Sequence, residues 1–174
     1  MIRSLVALML LTLISLPATA QEAEPSMTFA RMAEIIQALD PEAQSDGVRF
    51  QFTIEDVPVM IITDVRADRM RAIVPIRSAS GISAEEMTRM MQANFDTALD
   101  ARYAVAQGRL WSTFIHPLSP LEKNQLISGI GQAVNLARTY GSVYSGGGLS
   151  FGGGDSGDLN RALIEDLLEK GEKI

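Results

Sequence analysis

Three strand-length segments separated by tight polar breaks, two of them alternating with period two, constrain this chain more than any other feature. Val48, Phe50, Phe52 and Ile54 alternate with Arg49, Gln51 and Thr53, the pattern of a strand buried on one face. Glu55-Asp56 reads as a turn. Val57–Thr63 is a second strand, apolar on both faces, which places it inside its sheet. Asp64–Asp68 makes a second turn. Met70, Ala72, Val74 and Ile76 then alternate with mostly basic residues in a third strand. Pro75 cannot donate to a ladder, which predicts an edge or a strand end there. Connections this short join antiparallel neighbours.

Helical signals surround this block. Ser26 is placed to cap a helix in which Met27, Phe29, Met32, Ile35, Ile36 and Leu39 fall mainly on one face. Asp40-Pro41 ends it, because the residue before proline disfavours helix. Ser83-Ala84-Glu85-Glu86 is a capping box. Met87, Met90, Met91, Phe95, Ala98 and Leu99 follow at helical spacing, and Asp100 closes the helix; the cluster Met87, Met90 and Met91 reads as core, with an adaptable contact surface as the alternative. Arg102–Ala106 and Leu110–Ile115 form a hairpin through Gln107-Gly108. Ser119-Pro120-Leu121-Glu122 reads as a second capping box, with Pro at the first helical position. Leu126, Ile127, Ile130, Val134 and Ala137 continue it towards a cap at Gly141. Gly129 and Gly131 each weaken this helix by about 1 kcal/mol against Ala. Their use is close approach to the sheet or to a second subunit.

These elements predict an α+β fold, a mostly antiparallel five-stranded sheet with helices packed on it in the order α-β-β-β-α-β-β-α. The domain runs over residues 21–141. Residues 142–157 are a linker rich in Gly and Ser. Asp158 can cap a tethered C-terminal helix over residues 158–174. Its stripe of Leu159, Leu163, Ile164, Leu167 and Leu168 is the candidate partner-binding surface. A helix this short is marginal alone in water and must dock on its own sheet, on a second copy or in a partner's groove.

Residues 1–20 read as a signal peptide: a basic start at Arg3, an apolar run Val6–Leu16, a break at Pro17 and the small-x-small pattern Ala18-Thr19-Ala20. The run is about half the length needed to span a bilayer as a helix. Cleavage after Ala20 predicts a periplasmic or secreted chain with no stable membrane span after cleavage. The sequence contains no cysteine, which removes thiol nucleophiles and thiolate metal sites and leaves packing to hold an exported domain together. The formal charge of −6 is poorly matched to nucleic acid or an anionic membrane. Arg66, Arg69, Arg71 and Arg77 alternate with apolar residues and read as a solvated strand face.

Over about residues 26–141 the chain resembles the YbjN-like family, whose fold is related to the class I chaperones of type III secretion. The strand block Val48–Ile76 carries the resemblance, with the hairpin bearing Trp111 and Phe114. So does the stretch Pro117-Leu118-Ser119-Pro120-Leu121, leading into Ile130-Gly131-Gln132-Ala133-Val134-Asn135-Leu136-Ala137. The resemblance implies a binding or regulatory module without known chemistry. The related chaperones are dimers that bind an extended segment of another protein. It carries no functional residue across.

Nothing in the sequence demands a catalytic chemistry. His116, the single histidine, has no second ligand at metal-binding spacing and reads as structural. The adjacent acids Glu55-Asp56, Glu85-Glu86 and Glu165-Asp166 read as a turn, a helix N-terminus and a solvated helix face. The runs Gly146–Gly148 and Gly152–Gly154 lack the Lys-Ser/Thr of a phosphate loop. No catalytic residue, metal or cofactor is expected. The expected function is an exported, non-enzymatic protein-binding module with a protein partner or a second copy. A small periplasmic hydrolase or ligand-binding protein using carboxylates, and a structural homodimer joined at Gly129 and Gly131, are the alternatives.

Overall fold

The computed structural model describes residues 24–96, 99–141 and 157–172. The leader read at residues 1–20 and nearly all of the linker read at 142–157 lie outside the described residues. Helix α1 is Phe29–Leu39 and buries Met32, Ile35, Ile36 and Leu39. Its cap is Thr28, whose hydroxyl accepts the Arg31 N–H at 3.1 Å, and not Ser26. The start is displaced because Met27 is buried and its N–H donates to the Ser119 carbonyl at 3.0 Å. The helix ends at Asp40, as the following proline requires.

The strands are β1 (Gln44–Ser45), β2 (Arg49–Ile54), β3 (Val57–Asp64), β4 (Arg69–Ser78), β5 (Arg102–Ala106) and β6 (Arg109–Pro117). They form one antiparallel sheet in the order β1-β2-β3-β4-β6-β5. The sheet has six strands, one more than the hydrophobic pattern showed, because β1 is two residues long and too short to carry a period. Glu55 and Asp56 both take positive φ, 45° and 63°, in the two-residue turn between β2 and β3. Val48 precedes β2 and is exposed, not part of its buried row.

Pro75 does not mark a sheet edge. Strand β4 lies between β3 and β6, but β3 pairs with it only as far as Ile73, opposite Met60. Beyond that point β4 has one neighbour, and its register with β6 slips between Pro75 and Arg77. The proline sits where an internal strand is locally an edge.

One face of the sheet carries the core through Phe50, Phe52, Val59, Ile61, Met70, Ala72, Val74, Leu110 and Phe114. Helix α3 (Lys123–Arg138) crosses this face over β4 and β6, and α1 lies over β2, where Phe29 stacks on Phe50 at 4.4 Å. The cap of α3 is Glu122, which exchanges hydrogen bonds with Gln125, and not Ser119. Ser119 is drawn away by Asp68, which accepts both its N–H and its hydroxyl. At the other end the cap is Thr139, and Gly141 takes φ 80° two residues further on. Helix α4 (Gly157–Gly171) packs chiefly on α3 and on α1. It begins at Gly157, so Asp158 stands in its first turn. Helix α2 (Ala84–Asp96) reaches the sheet at β5. Its capping box forms as read: Ser83 N–H donates to the Glu86 carboxylate at 3.0 Å, and Glu86 N–H to the Ser83 hydroxyl at 3.1 Å.

The two glycines of α3 serve contacts within the chain. A methyl group at Gly129 would stand 2.5 Å from the Phe114 ring of β6, and one at Gly131 would stand 2.8 Å from Ile164 of α4. The helix is buried on nearly every side because the sheet covers one flank and α4 the other. Close approach to the sheet is borne out, and the second subunit's place is taken by the chain's own tail helix.

Candidate functional site

Helices cover one face of the sheet, and the opposite face is open among the described residues. Because side chains alternate, the residues between the core positions share that outer face. Cross-strand pairing sets them in rows. Arg49, Ile62, Arg71 and Ile115 form one row, and Gln51, Met60, Ile73, Thr113 and Arg102 the next. In a third row Pro75 stands opposite Trp111, and Trp111 opposite Ala104. Apolar groups from three neighbouring strands thus lie side by side: Pro58, Met60 and Ile62 on β3, Ile73 and Pro75 on β4, Trp111 and Ile115 on β6. They are half-buried or exposed. The reading of β3 as apolar on both faces is the sequence signal for this band, since no helix among the described residues covers its second face.

The upper part of the band opens into a hollow of about 600 Å³ whose lining includes Pro58, Met60, Pro75, Trp111, Arg109 and Glu42. Asp40 also reaches it, with its carboxylate oxygens taken by the backbone N–H groups of Glu42 and Thr53 at 2.9 and 2.8 Å. The Arg109 guanidinium lies 5.8 Å from the centre of the Trp111 ring. The Trp111 indole N–H donates to the Ala106 carbonyl at 3.1 Å, which fixes the ring on the hairpin. The Thr113 hydroxyl in the middle row is buried with no hydrogen-bond partner among the described residues.

Charge on this face is uneven. Arg49 is neutralised by Asp46, whose carboxyl is lowered to about 2. The Val48 N–H is the first cause of that shift, followed by the Arg49 guanidinium. Arg71, Arg102 and Arg109 form no ion pair among the described residues, although Arg102 donates to the carbonyls of Leu99 and Ala101. Arg69 and Asp64 face one another at the far end of β3 and β4.

A second hollow, about 620 Å³, lies where β6 runs on beyond β5. His116, Ile115, Asp100, Ser128, Ile164 and Leu168 are among the residues that line it. Here His116 is held by its own strand: its Nδ1 lies 2.8 Å from the Pro117 carbonyl, and its ring stacks on Phe114. Buried Gln132 accepts the Asp100 and Ala101 N–H groups at 2.8 and 3.2 Å. Its amide donates to the Asp100 carboxylate at 3.3 Å and to the Ser128 hydroxyl at 3.2 Å. Asp100 and Ser128 are therefore bound into the joint between α3 and the start of β5, and neither is hydrogen-bonded to His116 as nucleophilic catalysis requires.

The tail-helix stripe divides between these places. Leu163 and Leu167 are 5% and 1% exposed and belong to the core. Ile164 and Leu168 are half-buried at the rim of the second hollow. The side chain of Leu159 lies outside the described residues. Of the three docking places open to the tail, the structure shows its own domain, on helices and not on the sheet. The methionine cluster divides as well. Met90 is core, but Met87 and Met91 are 36% and 49% exposed and Phe95 is 74% exposed. Helix α2 packs on the sheet chiefly at its β5 edge, which is too narrow to cover its whole apolar stripe.

The paired acids are engaged elsewhere. Glu55 bonds Arg138, Glu85 bonds Arg89, and Asp166 bonds Lys170. Glu86 sits below its ordinary value, first because it accepts the Ser83 N–H and then because Tyr140 donates to it. Among the described residues no group of three His, Asp or Glu stands close enough to hold a metal ion, and no helix is long and apolar enough to cross a membrane.

No family model matches this chain, and no curated protein matches it. Among solved structures it is similar to a chain of the HopA1-SchA chaperone-effector complex, at 11% identity over 55% of this chain and 77% of that one, with a TM-score of 0.46. It is also similar to a chain of the ExsC-ExsE complex, at 9% identity over 53% and 72% respectively, with a TM-score of 0.42. Both are likenesses of fold.

Proposed function

We propose that this is an exported, non-enzymatic protein-binding module that receives a partner segment on the open face of its sheet. One observation carries the reading. Seven apolar residues from three adjacent strands form a band around Trp111 and Ile73 that no described residue covers, on a sheet whose other face packs against helices. Contiguous apolar surface of this kind marks sites of association. The YbjN-like resemblance of the strand block and hairpin agrees with a binding role, and the signal-peptide pattern of residues 1–20 supports a role outside the cytoplasm.

A photocrosslinking residue placed at Ile73 in the full chain tests the surface, with the same group at Arg66 in the β3–β4 turn as control. A partner trapped from Ile73 and not from Arg66 is the expected result. Equal trapping from both, or none from Ile73, would remove the docking face. The N-terminus of the protein recovered from the cell envelope tests export, and is expected at Gln21. An intact Met1 would refute it.

A further inference from the structure

The chemistry of the outer face narrows what it binds. The whole chain carries a formal charge of −6, yet this band is flanked by three arginines without carboxylate partners among the described residues, Arg71, Arg102 and Arg109. Arg71 stands level with Ile115 at one end, and Arg109 lies six residues along β6 at the other. That separation is about 20 Å, the reach of roughly seven extended residues. Ile73, Met60 and Trp111 lie between.

We infer that the occupant of the outer face is an acidic polypeptide segment, with apolar side chains seated on Met60, Ile73 and Trp111 and carboxylates meeting Arg71 and Arg109. The inference rests on the docking-face reading above. Charge complementarity selects the occupant. A second copy placed face to face would bring arginines against arginines. An anionic membrane is a broad surface that would meet the net charge of −6 of the rest of the chain, whereas a short segment meets only the band and its arginines.

Trp111 is the only tryptophan in the sequence, so its fluorescence reports on this face alone. The probes are a soluble peptide alternating Glu with Leu, the same peptide with Lys for Glu, and mixed phosphatidylcholine–phosphatidylglycerol vesicles, each titrated into the full chain. The expected result is a saturable blue shift with the Glu peptide, weakened about tenfold by raising salt, and little response to the Lys peptide. The exposed pair Arg71→Glu and Arg109→Glu, checked for folding by circular dichroism, should reverse the preference. Equal binding of both peptides would overturn the acidic occupant and leave the docking face standing. No response to either peptide would remove both. A response to vesicles in place of the Glu peptide would replace the polypeptide with a lipid surface.

Discussion

The Asp68 carboxylate accepts the Ser119 N–H at 2.7 Å and the Ser119 hydroxyl at 2.8 Å, joining residues 51 positions apart. The Asp68 carbonyl accepts the neighbouring Leu118 N–H at 3.0 Å. One aspartate at φ 52° thus pins the β3–β4 turn to the loop that launches α3. The contact explains why a sequence that looks like a capping box at Ser119 does not cap the helix.

The same contact makes a pH prediction. The Ser119 N–H, and then its hydroxyl, hold the Asp68 carboxyl below its ordinary value. A carboxyl lowered on folding contributes stability above its unfolded value of about 4, and loses that contribution as the pH falls towards the folded value. Glu24, Asp46 and Glu86 shift in the same direction. The melting temperature should therefore fall on acidification below about pH 5. Asp68→Asn should melt lower at neutral pH and show a shallower acid limb. A variant with the wild-type acid limb would show that the contact contributes nothing.

Gly129→Ala should cost about 1–3 kcal/mol, because its methyl group meets the Phe114 ring packed in the core. Gly131→Ala presses on Ile164 instead, and so loosens α4 while the sheet stays intact. Denaturant melts with limited proteolysis separate the two. Cleavage within α4 should rise selectively in Gly131→Ala, and equal cleavage in both variants would contradict this division.

Leu167 is 1% exposed, and Leu167→Ala should cost about 2–5 kcal/mol in a urea melt. Ile164→Ala, at the rim of the second hollow, should cost less. A surface value below about 0.5 kcal/mol for Leu167→Ala would show that α4 is not part of the core in solution.

Replacing Glu55-Asp56 with Asn-Gly should raise stability by about 1 kcal/mol, because both positions have positive φ and this pair is the one the turn favours. The gain is reduced by losing the Glu55–Arg138 ion pair, which is exposed and weak. An unchanged or lower melting temperature would show that the ion pair outweighs the backbone strain.

Local pattern determined the α+β class, the three hairpin turns, the stop at Asp40 and the capping box at Ser83. Each depends on residues within a few positions of one another, through side-chain alternation, the restriction before proline, or a reach of three residues. Tertiary structure decided the rest. Pro75 could enter an internal strand only because β3 stops pairing at Ile73, and Ser119 lost its cap to a carboxylate 51 residues away. The methionines of α2 could not all be core, because the edge of a sheet offers little area to cover them. The tail leucines form a stripe whatever they touch, and only packing against Gly131 and α3 shows Leu163 and Leu167 to be core. The open band around Trp111 was half visible, in a strand apolar on both faces. Which face remained bare depended on where the helices lay, and no short-range pattern encodes that.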